Sequence, residues 1–173
     1  MEEMITMTSA MAAKELKKLN ERYEALLGME RKSSEFVAAI QEDIETVRPE
    51  YDFQAVQKET AEIEEKIRIL KHAINRFNLS QTVPGFDMTI DQILVYIPQL
   101  TARKRKLDYM RSLLPRERIQ GERGASNIIE YKYTNYDVKE AEKEYLAVTD
   151  ELSKAQNALD LVNSTVEFEV EGF

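Results

Sequence analysis

The chain of 173 residues contains no cysteine and no tryptophan, one histidine, five glycines and four prolines. Without cysteine there is no disulfide, no thiolate metal site and no cysteine nucleophile. With His72 as the lone histidine, a two-histidine metal site within one chain is excluded. Few glycines and prolines argue against a β-sandwich, which needs a turn signal every 8–12 residues or so. No window approaches 18 consecutive apolar residues, the length at which a membrane-spanning helix is read. The opening MEEMITMTSAMAAKEL is acidic and broken by Thr and Ser, unlike a secretory signal peptide. The expectation is a soluble, cytoplasmic protein that spans no membrane.

What is present is helical heptad spacing. Apolar residues make up 43% of the chain and charged residues 32%, in a length typical of about one domain. One 3-4 series runs Leu16, Leu19, Tyr23, Leu26, Glu30, Ser33, Val37, Ile40, Ile44, Val47, interrupted only by Glu30 and Ser33. A second runs Phe53, Val56, Thr60, Ile63, Ile67, Leu70, Ile74, Phe77. A third, Val138, Ala141, Tyr145, Val148, Leu152, Ala155, Leu159, Val162, is apolar throughout. Such a repeat keeps one stripe turned toward a partner helix. A less regular stripe over 89–114 contains Pro98, where a kink or break is expected.

The boundaries carry capping chemistry. Thr8 or Ser9, Asp52, Thr89 and Asp137 are candidate N-caps. Pro49 ends the first pattern and biases Arg48 toward an extended backbone. Pro84-Gly85 marks a turn, and Pro115 closes the third helix. The pattern predicts one mainly α domain over 1–173, a long antiparallel helical bundle or coiled coil with helices at about 9–47, 52–78, 89–114 and 137–162. The first of these admits an alternative: a break near 28–34, with Phe36–Ile40 extended against 127–133. Two alternating stretches, about 126–134 and 165–170, predict a small β element. Such a ribbon must pack on the helices or pair with another subunit.

Charge is distributed unevenly. The chain carries −8, yet 101–123 holds eight basic residues against three acidic ones, a local +5. Arginine dominates, which suits bidentate contact with phosphate or carboxylate. Arg103, Arg105, Tyr109, Arg111, Arg116, Arg118 and Arg123 are the candidate site for an anionic ligand such as a nucleotide. The competing and favoured reading is a basic face that docks on acidic helices of a neighbouring subunit. Nucleic acid is disfavoured by a pI near 4.9. Gly121-Glu-Arg-Gly124 fits a G-x-x-G loop but lacks the surrounding α/β pattern and reads as a turn. Tyr131 and Tyr133 share one face of a strand, either packed on the bundle or walling a ligand.

No catalytic constellation accompanies these features. There is no G-x-S-x-G, Walker loop, dinucleotide fingerprint or E-x-x-H pattern. His72 lies off the apolar stripe, on the surface side of its helix. Glu2-Glu3, Glu42-Asp43 and Glu64-Glu65 are adjacent pairs, which diverge on a helix. The expectation is a non-enzyme with no cofactor and no metal.

The middle of the chain resembles the septicolysin-like family of small bacterial coiled-coil proteins. The residues that carry the resemblance are Ile74-Asn75-Arg-Phe-Asn78, Thr82-Val83, Gly85, Thr89-Ile90, Leu94, Arg103, Leu107, Ile128-Ile129 and Asp137-Val138. Glu21-Arg22 matches a Glu-Arg pair in the family's N-terminal helix. The family's glycine-containing loop after that helix has no counterpart in 34–48. The resemblance implies extended helices, a short β element and a closed homo-oligomer, with a hexamer as the candidate size, and it supplies no catalytic residue. The family takes its name from a member described as a pore-forming toxin. That adds a third, membrane-active reading, against which stand the missing signal peptide and the missing apolar hairpin. The leading expectation is a non-enzymatic, homo-oligomeric scaffold or binding module, with ligand sequestration second.

Overall fold

The computed structural model describes residues 4–119 and 129–173. Among them are five helices and four strands, in the order β1 (Met4–Thr8), α1 (Ser9–Ser33), α2 (Ile44–Val47), α3 (Phe53–Ser80), α4 (Ile90–Ser112), β2 (Arg116–Arg118), β3 (Tyr131–Tyr133), α5 (Val138–Thr165) and β4 (Glu167–Glu171). The protein is mainly α with a small β part. The chain divides into two units. One holds the chain up to Ser80 together with Leu161–Phe173, and the other holds Gln81–Asp160. Among the described residues no helix is long and apolar enough to cross a membrane.

The expected caps start the helices. Thr8 Oγ1 accepts from Met11 N at 3.2 Å, Asp52 Oδ1 from Ala55 N at 3.0 Å, and Asp137 Oδ1 from Lys139 N at 2.8 Å. Thr89 begins α4 in a capping box with Gln92, which satisfies amide donors that have no partner within the helix. Ahead of it, Val83–Phe86 make a turn in which Phe86 N donates to Val83 O at 3.1 Å. Proline second and Gly85 third, at φ +81°, are the residues a type II turn requires.

In the first unit α1 and α3 run antiparallel. Arg22 reaches Glu59, Tyr23 reaches Glu64, and Glu30 reaches Tyr51 and Gln57. Glu30, the acid that interrupts the first apolar stripe, is thereby explained. It faces α3 because Tyr51 Oη and Gln57 Nε2 each donate to its carboxylate at 2.7 Å. Leu26, Val56, Ile63 and Leu70 are buried along this pair.

The first helix is not continuous from 9 to 47. It ends at Ser33, and Glu35–Ala39 are irregular rather than a strand. Ser33 and Ser34 are weak helix formers whose side chains compete for backbone partners. Asp43 then caps the single turn α2, and Arg48 is extended before Pro49, as the proline demands. Pro98, by contrast, does not break α4, which runs uninterrupted from Ile90 to Ser112. The cost there is one missing amide donor for the Leu94 carbonyl.

The β element differs in its partners. β4 pairs antiparallel with β1, Met4 opposite Glu171 through Thr8 opposite Glu167. Its inner residues Phe168 and Val170 are buried, and Phe168 stacks on Phe77 of α3 with ring centres 4.7 Å apart. β3 pairs with β2, drawn from the basic segment. The expected β element at 126–134 and 165–170 is therefore two separate two-stranded sheets. Residues 126–128 lie outside the described residues.

In the second unit α4 and α5 are also antiparallel, with Tyr96 against Glu151 and Arg111 against Glu142. Leu100, Leu107, Val148, Leu152 and Ala155 form its core cluster. Six of the eight residues of the third heptad series are buried, so that stripe is satisfied within the chain.

Truncating Leu70, which is fully buried, to alanine is expected to cost about 2–5 kcal/mol. Ile40→Ala, at a fully exposed position, is expected to leave the thermal midpoint unchanged. Circular dichroism melts of the two variants check the pair.

Candidate functional site

The basic segment begins where α4 is still helical and ends in an extended strand. Leu113 leaves the helix with ψ 147°, and Pro115 prevents its resumption. The Met110 carbonyl accepts from the capping Leu113 N at 3.4 Å and from Tyr136 Oη at 2.7 Å. Chain order thus places Arg103, Arg105, Tyr109 and Arg111 on α4 and Arg116 and Arg118 on β2. Arg123 and the Gly121–Gly124 pattern lie outside the described residues.

Helical geometry separates these side chains. At about 100° per residue, Arg105 and Tyr109 share one side of α4, and Lys104 and Arg111 another. Arg105, Asp108, Tyr109, Arg111, Ser112 and Glu142 line an open groove of about 590 Å³. Two cations and two carboxylates face it, so its formal charge balances.

Arg111 is held on every side. Its Nε donates to Asp108 Oδ1 at 2.9 Å. Its Nη1 donates to both oxygens of Glu142, at 3.2 and 3.0 Å. Its guanidinium lies 3.8 Å from the centre of the Tyr145 ring, which Lys104 Nζ also approaches at 5.8 Å. The hydrogen bonds to Glu142 and then Asp108 raise its pKa further. Arg111 therefore joins α4 to α5. Glu142 and Tyr145, which complete this arrangement, carry no distinguishing motif; Tyr145 shows only as a member of the third heptad series.

The strand residues are free by comparison. β2 and β3 are exposed along their whole length. Arg116 is opposite Tyr133 and Arg118 opposite Tyr131, so all four side chains share one face. The guanidinium of Arg116 lies 4.9 Å from the centre of the Tyr131 ring, and the two tyrosine rings are 6.4 Å apart. Tyr131 is 42% exposed and Tyr133 64%, so neither is buried against the helices. Tyr136 is half-buried and hydrogen-bonded to α4 through the Met110 carbonyl. A smaller cavity of about 200 Å³ lies at the root of the ribbon, beside Leu113, Glu117, Lys132 and Tyr136. His72 is exposed. Among the described residues no group of three metal-ligating side chains converges.

Three tyrosines donate to carboxylates. Tyr23 to Glu64 and Tyr51 to Glu30 are raised above the ordinary phenol pKa, chiefly by those hydrogen bonds. Tyr96 is raised first by burial, then by the charge of Glu151.

No protein-family model matches the chain, and no curated protein matches it. Among solved structures it is similar to a crystal structure of a functionally unknown conserved protein from Corynebacterium diphtheriae. The two share 17% sequence identity with a TM-score of 0.59, over 95% of this chain and 99% of that one. At that identity the likeness shows the fold alone.

Two outcomes follow from this geometry. Arg111→Ala is expected to lower the melting temperature, whereas Arg105→Ala, at an exposed position with no ion pair among the described residues, is expected to leave it in place. Differential scanning calorimetry separates them. Tyrosine hydroxyls with raised pKa values keep their protons longer when folded than when unfolded. Stability is then full below about pH 10 and falls as pH rises through the raised values. Melts across that range are expected to show a shallower fall for a chain carrying Tyr23→Phe, Tyr51→Phe and Tyr96→Phe.

Proposed function

We propose that the protein is a non-catalytic, self-associating helical scaffold that works by binding copies of itself. The observation that carries this reading is the apolar surface at the connection between α1 and α3. Val37 is 94% exposed and Ile40 105%. Phe36 and Ile44 of the same connection, and Phe53 at the start of α3, are exposed as well. Large apolar side chains grouped in one short stretch of surface mark an association site far more often than isolated ones do. Val37, Ile40 and Ile44 belong to the part of the first heptad series that lies beyond α1 and stays exposed. The resemblance to the septicolysin-like proteins, which implies a closed homo-oligomer, supports the same reading.

A second reading rests on the cations that remain unengaged. Arg103, Arg105 and Arg118 are exposed and in no ion pair among the described residues. They suit a small anionic ligand at the ribbon end of the second unit. The charge balance of the groove beside Arg105 favours the scaffold over this alternative.

Native mass spectrometry of gently purified protein tests both. Self-association is expected, with Ile40→Glu shifting the distribution toward smaller species. A wild-type chain that stays monomeric at high concentration refutes the scaffold. A bound mass that is lost in Arg105→Ala with Arg118→Ala would move the conclusion to the ligand reading.

A further inference from the structure

The outward faces of the two small sheets match each other row by row. In the β1–β4 sheet, Met7, Phe168 and Val170 are buried on the inner face. Alternation puts Glu167, Glu169 and Glu171 on the opposite face, and all three are exposed. Beside that acidic row, on β1, stand exposed Met4 and Thr6, opposite Glu171 and Glu169. The β2–β3 ribbon shows the complement: a basic row, Arg116 and Arg118, beside an aromatic row, Tyr133 and Tyr131. Among the described residues, neither Arg118 nor any of the three glutamates has an ion-pair partner, and Arg116 only leans over Tyr131.

Spacing makes the match specific. Residues two apart on a strand stand about 6.5–7 Å apart, and neighbouring strands about 4.8 Å apart. Each face thus carries one charged row and one uncharged row on the same grid. Laid together, arginines meet glutamates while the tyrosines cover Met4 and Thr6. A tyrosine ring against a methionine sulfur is a favourable contact. Opposite potentials on the two faces steer and orient the encounter.

We propose that the Arg116/Arg118–Tyr131/Tyr133 face of one copy docks on the Glu167/Glu169/Glu171–Met4/Thr6 face of a second copy. This rests on the self-association reading and names its surfaces. The two faces are different, so the contact is head-to-tail, and a rotation that closes produces a ring. Exposed ion pairs are individually weak and screened by salt. The contact therefore acts together with the apolar connection and gains from closure, which makes its last step intramolecular.

The test uses two charge-reversed full-length chains, Arg116→Glu with Arg118→Glu, and Glu167→Lys with Glu169→Lys. Circular dichroism confirms that each keeps its helical content, since all four positions are exposed. Light scattering at low and high salt reads the mass. Wild-type protein is expected to associate more strongly at low salt. Each reversed chain alone is expected to associate about tenfold or more weakly. An equimolar mixture is expected to recover the assembly, because each acidic face again meets a basic one. An oligomer unchanged by either reversal overturns the inference and leaves self-association standing. Weakening by only one reversal, or no recovery in the mixture, overturns it too. A wild-type monomer throughout overturns both.

Discussion

The pairing of Met4–Thr8 with Glu167–Glu171 is the constraint around which the first unit is arranged. It brings together strands some 160 residues apart in sequence. The entropic cost of closing so long a loop grows only logarithmically with length, so a modest sheet suffices if it also buries surface. It does so through one stacked pair, Phe168 on Phe77, with Val170 fully enclosed beside it. Thr8 closes the arrangement from the other side. It is at once the last residue of the strand and the cap of α1, so the direction of the first helix follows from the sheet.

The helices themselves are narrow-striped, and each unit satisfies them in pairs. Polar side chains set the register as much as apolar ones. Glu30 in the first unit and Arg111 in the second each sit at a helix–helix contact and are held by several partners. A charged group in such a place tolerates few alternative alignments, because sliding the helices would strand it without its donors or acceptors.

Much of this architecture was legible in the residues. Three heptad series located α1, α3 and α5, a less regular stripe located α4, and Thr8 or Ser9, Asp52, Thr89 and Asp137 marked where they begin, because capping is local chemistry. What failed to show was whatever depends on a distant partner. β1 is five residues, Met-Ile-Thr-Met-Thr, whose alternation is too short to stand out and whose mate lies at the far end of the chain. β2 is Arg-Glu-Arg, a strand exposed along its length, so it has no apolar period to detect. The stretch from Phe36 to Ile40 continued the heptad count, but Val37 and Ile40 stay exposed, and the helix ended before it. At the candidate site, composition alone flagged the arginines. Which of them is fixed and which is free depends on how α4 aligns with α5, and no local pattern encodes that alignment.

The antiparallel sheet has a mechanical side. Met4 and Glu171 are partners at its outer edge, and Thr8 and Glu167 at its inner one. A force pulling the two strands apart from that outer edge would load the hydrogen bonds one after another rather than all together. The sheet would unzip at low force, its first pairs giving way before any helix is stretched. The stacked rings of Phe77 and Phe168, next to the inner pairs, would be among its last contacts to part.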